Sequence, residues 1–347
     1  MIQKRGVNTI KEILEIPTAL ERVIFQDSKN INKVASVIKK AKEVYFIGSG
    51  TAGHAALEAN YLFSKFGLNH SNFVPASEFS NFASFLKKNS IIVAISQGGE
   101  NIDIIEAVKT AKKQGCKIIG ITNEMSSTLS NLSDFSLDIL AGSEKSVVAT
   151  KTYINQLATI ILIVFQIRKK YQKGIKLLQD TISAISEILL KDNQIKIQKL
   201  AKKLKNKEDF FAIGRGLNYP TALETSLKIK EACYIHAEGL AGGEFKHGVL
   251  AMVEKGFPCI IHTSNGNNEK SILLDAKNMS TKGALIIGVG SEKKKIFNVW
   301  LKTPKVDEIV SPLTNIIPIQ MLAYHLSLLR NINPDKPRNL VKSVKKH

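Results

Sequence analysis

The feature that most narrows what this chain can fold into is that one pattern occurs in it twice. Phe46-Ile47-Gly48-Ser49-Gly50 returns as Ala212-Ile213-Gly214-Arg215-Gly216. The same offset lays Ala56-Leu57-Glu58 on Ala222-Leu223-Glu224, and Ile95-Ser96-Gln97-Gly98-Gly99 on Ile261-His262-Thr263-Ser264-Asn265. With small gaps, Ile119-Gly120-Ile121 meets Ile287-Gly288-Val289, and the helix through Gln156-Leu157 meets the one through Gln320-Met321-Leu322. A repeat on this scale is an internal duplication of one domain, and 347 residues suffice for two cores.

In the first copy, short apolar runs end in glycine-bearing polar loops and are followed by helical periodicity. The pattern predicts strands at 44–47, 72–75, 91–95, 117–121 and 137–140, and helices near 53–66, 104–114 and 153–171. Strands alternating with helices at this spacing form parallel βαβ units. The fold class is therefore α/β, with two copies of a doubly wound parallel sheet of about five strands flanked by helices. The expected organisation is a helical segment at 1–40, with Pro17 at a helix start, a first domain at 41–171, a helical connector at 172–206, a second domain at 207–330 and a tail at 331–347.

Composition removes several function classes. The net charge of +19 comes mostly from lysine spread along the chain. No aromatic-interleaved basic motif accompanies it, so nucleic acid is not the expected partner, although positive potential helps draw in a dianionic small substrate. The three cysteines form no paired spacing, and the seven histidines include no i, i+4 pair, so neither a disulfide framework nor a metal site is expected. The start lacks the apolar core of a signal peptide, and the most apolar run, 157–165, is too short to span a bilayer. The expectation is a cytoplasmic protein without a membrane partner.

Chemistry-bearing residues concentrate in 222–248, ALETSLKIKEACYIHAEGLAGGEFKHG. Glu224, Lys228 and Glu231 fall on one helical face. A loop follows, GLAGGEFKHG, too rich in glycine to continue the helix and carrying His247 beside a lysine. Taken alone the trio reads first as a solvated surface pair of Glu224 and Lys228. The duplication argues otherwise, because the counterpart helix keeps Glu58 but has Leu62 and Lys65 where Lys228 and Glu231 stand.

The first copy holds the better anion site. Ser96-Gln97-Gly98-Gly99-Glu100-Asn101 follows a strand and feeds a helix N-terminus, where unpaired amides and the helix dipole favour an anion. Ser96 and Gln97 can donate, the glycines admit a phosphate, and Asn101 can cap the helix or contact the ligand. Gly48-Ser49-Gly50-Thr51-Ala52-Gly53 is a literal G-x-G-x-x-G, but no acidic residue closes the next strand, and the repeat abandons the third glycine. A dinucleotide site is not expected.

At this point the residues identify a family. The chain resembles the isomerase part of glucosamine-6-phosphate synthase (glutamine:fructose-6-phosphate aminotransferase), a tandem of sugar-isomerase (SIS) domains with flavodoxin-like sheets. The match runs from Glu15-Ile16-Pro17 to Ser343 through GSGT at 48–51, SQGGE at 96–100, ATK at 149–151, GRG at 214–216, KIKE at 228–231, YIHAEGLAGGEFKHG at 234–248 and PRNLVKS at 337–343. The resemblance implies that phosphate lies on Ser96, Gln97, Gly98 and Asn101 with Thr51 nearby, and that Val147, Val148 and Ala149 line the sugar. It implies that Glu231 moves a proton between C1 and C2, Lys228 assists at the reacting oxygens, His247 opens the ring and Lys342 closes over the open-chain sugar. His236 is left open between a structural and a site role. It further implies a homodimer with shared active sites, the His247 loop coming from the neighbouring subunit, and no cofactor.

The chain begins directly at the isomerase part, so it is not expected to hydrolyse glutamine. The resemblance then implies conversion between fructose 6-phosphate and glucosamine 6-phosphate, foremost as a glutaminase-independent deaminase/isomerase. The alternatives are the isomerase subunit of an aminotransferase with a separate glutaminase, a fructosamine-phosphate deglycase, and a non-catalytic sugar-phosphate-binding regulator. Ala52, Gly98, Asn101 and Ala149, standing where the family commonly has Ser or Thr, motivate the last.

Overall fold

The structure, a computed structural model, describes residues 5–342. Three helices open the chain, α1 (Val7–Leu14), α2 (Ile16–Ile24) and α3 (Ser28–Lys40), the last capped by the Asp27 carboxylate accepting from Lys29 N. The first repeat runs β1 (Glu43–Gly48), α4 (Thr51–Lys65), β2 (His70–Pro75), a 3₁₀ segment (Ala76–Phe85), β3 (Ile91–Ile95), α5 (Ile102–Lys113), β4 (Lys117–Thr122), α6 (Thr128–Leu132), β5 (Phe135–Asp138) and α7 (Lys151–Ile167). Helices α8 (Tyr171–Ile188) and α9 (Lys191–Leu204) connect it to the second. That repeat runs β6 (Asp209–Gly214), α10 (Asn218–Cys233), β7 (His236–Ala241), two 3₁₀ turns (Glu244–Lys246 and Val249–Met252), β8 (Pro258–His262), α11 (Glu269–Thr281), β9 (Leu285–Gly290), β10 (Val299–Lys302), a further 3₁₀ turn (Glu308–Val310), α12 (Ser311–Asn315) and α13 (Ile317–Leu329).

Both sheets are parallel, with strand orders β2-β1-β3-β4-β5 and β7-β6-β8-β9-β10. Counted from the start of each repeat the order is the same, 2-1-3-4-5. The duplication therefore extends to topology, and each sheet has its switch point beside its first strand, at β1/β3 and at β6/β8. Open α/β sheets bind ligands at the carboxyl ends of such strands.

The central strands are buried on both faces, which is why 91–95 reads as an unbroken apolar run. Two compact units result. One, built on the first sheet, comprises residues 18–144 and 151–179 together with residues 341 and 342, and its core includes Tyr45, Ile47, Phe79, Ile92, Val108 and Ile118. The other, built on the second sheet, includes α1, residues 145–150 and residues 180–340, around Phe211, Ile213, Phe245, Ile261, Met279 and Phe297. The apolar run at 157–165 is part of α7, whose side chains are almost all buried. No helix among the described residues is long and apolar enough to cross a membrane.

Three local expectations are corrected. The helix expected over 153–171 breaks after Ile167: Lys169 takes a left-handed conformation and Lys170 N bonds Phe165 O, a C-terminal cap with lysine in the position glycine usually fills. The last strand of the first sheet is Phe135–Asp138, because Leu140 is left-handed (φ 54°) and its N–H bonds the Asp138 carboxylate in a turn. The segment His236–Ala241, whose end was expected to be loop, is strand β7. Its Gly239 is needed because a Cβ there would lie 2.7 Å from Ala222 O on α10.

Candidate functional site

Helix α10 leaves β6 through a turn that only glycine permits. A Cβ on Gly214 would lie 1.9 Å from Asn218 O, and Gly216 has φ 56°. The same holds in the first copy, where a Cβ on Gly48 would lie 2.5 Å from Ala52 O and Gly50 has φ 55°. The repeated G-x-G is thus a strand-to-helix turn, and its glycines answer to packing rather than to a dinucleotide.

On α10 the three charged side chains meet as their spacing requires. Lys228 Nζ lies 3.2 Å from Glu224 Oε1 and 2.7 Å from Glu231 Oε2. They are not a solvated pair: the side chains of Lys228 and Glu224 are 1% and 0% exposed, and Glu231 alone, at 22%, reaches open space. Burial acts against the charge on Lys228, but the carboxylates of Glu224 and Glu231 outweigh it and raise the pKa above that of a free lysine. Lys228 is therefore a fixed cation, and Glu231 is the carboxylate that can meet a substrate.

The His247 loop starts where β7 ends. Gly242 N bonds Gly214 O, Phe245 is fully buried in the core, and Lys246 Nζ lies 3.3 Å from the carboxylate of Asp275 on α11. His247 itself is exposed, and among the described residues its ring makes no hydrogen bond or ion pair with α10. His236 stands at the opposite, amino end of its strand, exposed and paired with Asp209 at 3.1 Å.

In the other unit the 96–101 loop joins β3 to α5. Ser96 is buried and its Oγ accepts from Gly99 N at 3.1 Å. Gly99 has φ +64°, and a Cβ there would lie 2.1 Å from Ser127 Oγ. The Gln97 carbonyl is held by Asn123 N and Thr122 Oγ1, while the Glu100 carboxylate accepts from Thr128 N and Oγ1. Asn101 caps α5 through Ile104 N. The loop's shape is thus fixed by these bonds, leaving the half-buried Gln97 and Gly98 as donors. Thr51 opens α4 on the turn after the adjacent strand β1.

The corresponding loop of the second repeat is tied to side chains of α10 and α12. His262 Nε2 bonds Thr225 Oγ1 at 2.8 Å, Thr263 Oγ1 donates to Val289 O, and Asn315 Nδ2 donates to Thr263 O and Asn218 Oδ1. Burial lowers the pKa of His262 to about 3, so the ring is neutral. The two repeats share a frame but not the chemistry of this loop.

The segment that leads into residues 147–149 is held by carboxylates that sequence reasoning did not single out. Glu12 accepts from the N–H groups of Lys145 and Ser146, and Asp335 accepts from Thr9 N and Oγ1 at 2.7 Å. Val147 N donates to Asp335 O, which ties this segment to the tail. Val148 is buried, whereas Val147 and Ala149 are half-buried. Lys342 Nζ sits 2.6 Å from Glu144, a fully buried carboxylate that also accepts from Thr152 Oγ1. Glu12, Glu144, Asp275 and Asp335 carry no local motif; each is recognisable only through a partner distant in sequence. Among the described residues no group of His, Cys, Asp and Glu could hold a metal ion.

Comparison with known proteins adds relatives to this geometry. The family model described as SIS domain matches residues 37–165 and 203–330. A glutamine–fructose-6-phosphate aminotransferase (isomerizing) of Pyrococcus horikoshii is 40% identical over 99% of this chain and 59% of its own length. The chain therefore spans about three fifths of the curated relatives it matches. The C-terminal domain of glucosamine-fructose-6-phosphate aminotransferase from Francisella tularensis superposes with a TM-score of 0.87 at 26% identity, covering 95% of this chain and 98% of that one. A glucosamine-6-phosphate deaminase from Thermotoga maritima shares the fold, with a TM-score of 0.77 at 24% identity over 97% of this chain and 99% of that one.

Proposed function

Because the chain belongs to the SIS-domain family, we propose that it converts hexose or hexosamine 6-phosphates by moving a proton between C1 and C2 of the open-chain sugar, with gain or release of the amine. The observation that carries this reading is the α10 constellation: one partly exposed carboxylate, Glu231, held 2.7 Å from a buried permanent cation, Lys228, whose other partner, Glu224, is sealed off.

In the deaminating direction, His247 assists opening of the glucosamine 6-phosphate ring. Glu231 takes the proton from C2 and returns it to C1, one carboxylate serving both steps. Lys228 faces the oxygen that gains charge between them. The resulting imine at C2 adds water and releases ammonia, leaving fructose 6-phosphate. Ser96, Gln97, Gly98, Asn101 and Thr51 hold the phosphate, and that remote binding energy keeps the acyclic chain in place. Val147, Val148 and Ala149 line the sugar, and Lys342 closes over it. The exposure of His247, away from any α10 partner, supports a homodimer in which each His247 loop serves the partner's α10.

Names among the relatives support a second reading: the chain acts as the isomerase portion of an aminotransferase and takes ammonia from a separate glutaminase. One experiment separates the two. Glucosamine 6-phosphate incubated with the protein should yield fructose 6-phosphate and ammonia, and Glu231→Gln should reduce the rate about 10²–10⁴-fold. Turnover only in the reverse direction, from fructose 6-phosphate and ammonium, would favour the second reading. Unchanged activity in Glu231→Gln would remove Glu231 as the base.

A further inference from the structure

Asp275 is fully buried and lies within ion-pair distance of two cations from two different loops. Its Oδ2 accepts from Arg215 Nε at 2.6 Å, and its Oδ1 lies 3.3 Å from Lys246 Nζ. Arg215 belongs to the glycine turn after β6, and Lys246 immediately precedes His247. A buried carboxylate is costly unless it is paired, so this one fixes the position of whatever it pairs with.

The loop is shaped around this cluster. A Cβ on Gly242 would lie 2.4 Å from Asp275 Oδ2 and 2.7 Å from Arg215 Nε, so the backbone passes directly over the ion pair. Three anchors then act within a few residues: Gly242 N on Gly214 O, Phe245 in the core, and Lys246 on Asp275. His247 is the first side chain beyond the last anchor, and it is exposed.

We propose that Asp275 is the positioning residue for His247, acting through Arg215 and Lys246 to hold residues 242–248 in the conformation that presents the imidazole. The proposal rests on the role given above to His247 in ring opening. It assigns Asp275 no contact with substrate.

The test uses Asp275→Asn, which keeps the side-chain shape, and Lys246→Met, which changes a partly exposed residue and leaves the core intact. Two substrates are compared in the presence of ammonium: fructose 6-phosphate, and 5-deoxyfructose 6-phosphate, which lacks O5 and cannot close the ring. Both variants should raise amide exchange in 242–248 about tenfold. They should lower turnover of the cyclic sugar about tenfold while changing that of the open-chain analogue less than about twofold. Unchanged exchange in 242–248 would overturn the proposal whatever the activities. So would equal losses on both substrates, since that marks a general structural role. If the wild-type protein turns over neither sugar, the hexosamine-phosphate reading fails, and with it the role of Asp275 in that reaction.

Discussion

Lys228 and Glu231 stand 2.7 Å apart on one face of α10, the lysine sealed from solvent and the glutamate not. This difference in exposure, between neighbours three residues apart, separates a group that fixes charge from a group that can transfer a proton.

Removing Lys228 should therefore cost more than a surface pair would. Lys228→Met leaves Glu224 buried without its cation, and breaking such a pair costs about 3–5 kcal/mol. The pKa of Lys228 is raised in the folded state, so its contribution is complete below the unfolded lysine value of about 10.4 and fades as pH climbs through the folded one. Urea unfolding at pH 8 should show the full difference between wild type and variant, and the difference should shrink only well above pH 10. A difference that collapses between pH 7 and 9 would contradict the buried arrangement.

Much of this was legible in the residues, and what was not has a physical cause. The duplication, the parallel sheets and the two loops follow from apolar runs and glycines whose spacing is local. Glu224, Lys228 and Glu231 were also visible, but their burial was not, because the same spacing serves a solvated helix face. Strand β7 was read as ending in loop because Gly239 looks like a breaker until α10 lies against it. Asp275, Glu144 and Asp335 were missed because each acts on partners far away in the chain, where no periodicity points.

His262 gives the second repeat an acid sensitivity. Its folded pKa, about 3, lies below the unfolded value near 6.5. Folding thus favours the neutral ring, and the unfolded chain binds the extra proton first. The stability contribution is complete above about pH 6.5 and is lost at roughly 1.4 kcal/mol per pH unit as pH falls toward 3. His262→Gln should flatten the stability profile between pH 6.5 and 4.5, measured by urea midpoints. An unchanged acid slope would mean that other groups set it.

The shared-site dimer can be tested by complementation. Glu231→Gln and His247→Ala should each be inactive alone. After subunit exchange in an equal mixture, half the dimers are mixed, and each of these carries one site with both groups intact. About a quarter of wild-type activity should return. No recovery, with exchange confirmed by differently tagged subunits, would place Glu231 and His247 of a working site on one chain.

Lys342 supplies a last case in which charge and anchoring can be separated. Its ammonium lies 2.6 Å from Glu144, whose side chain is fully buried, while Lys342 is 27% exposed. Lys342→Ala takes that ammonium away from a buried carboxylate that also accepts from Thr152 N and Oγ1, at a cost of about 3 kcal/mol. Glu144→Gln in the same chain removes the buried charge and keeps the side-chain shape, so the double variant should be more stable than Lys342→Ala alone. The coupling measured by urea unfolding should be about 1–3 kcal/mol. Strict additivity would mean that Lys342 rests on Glu144 without depending on it. Coupling of the expected size would make Glu144 the seat that fixes the tail lysine before any sugar arrives.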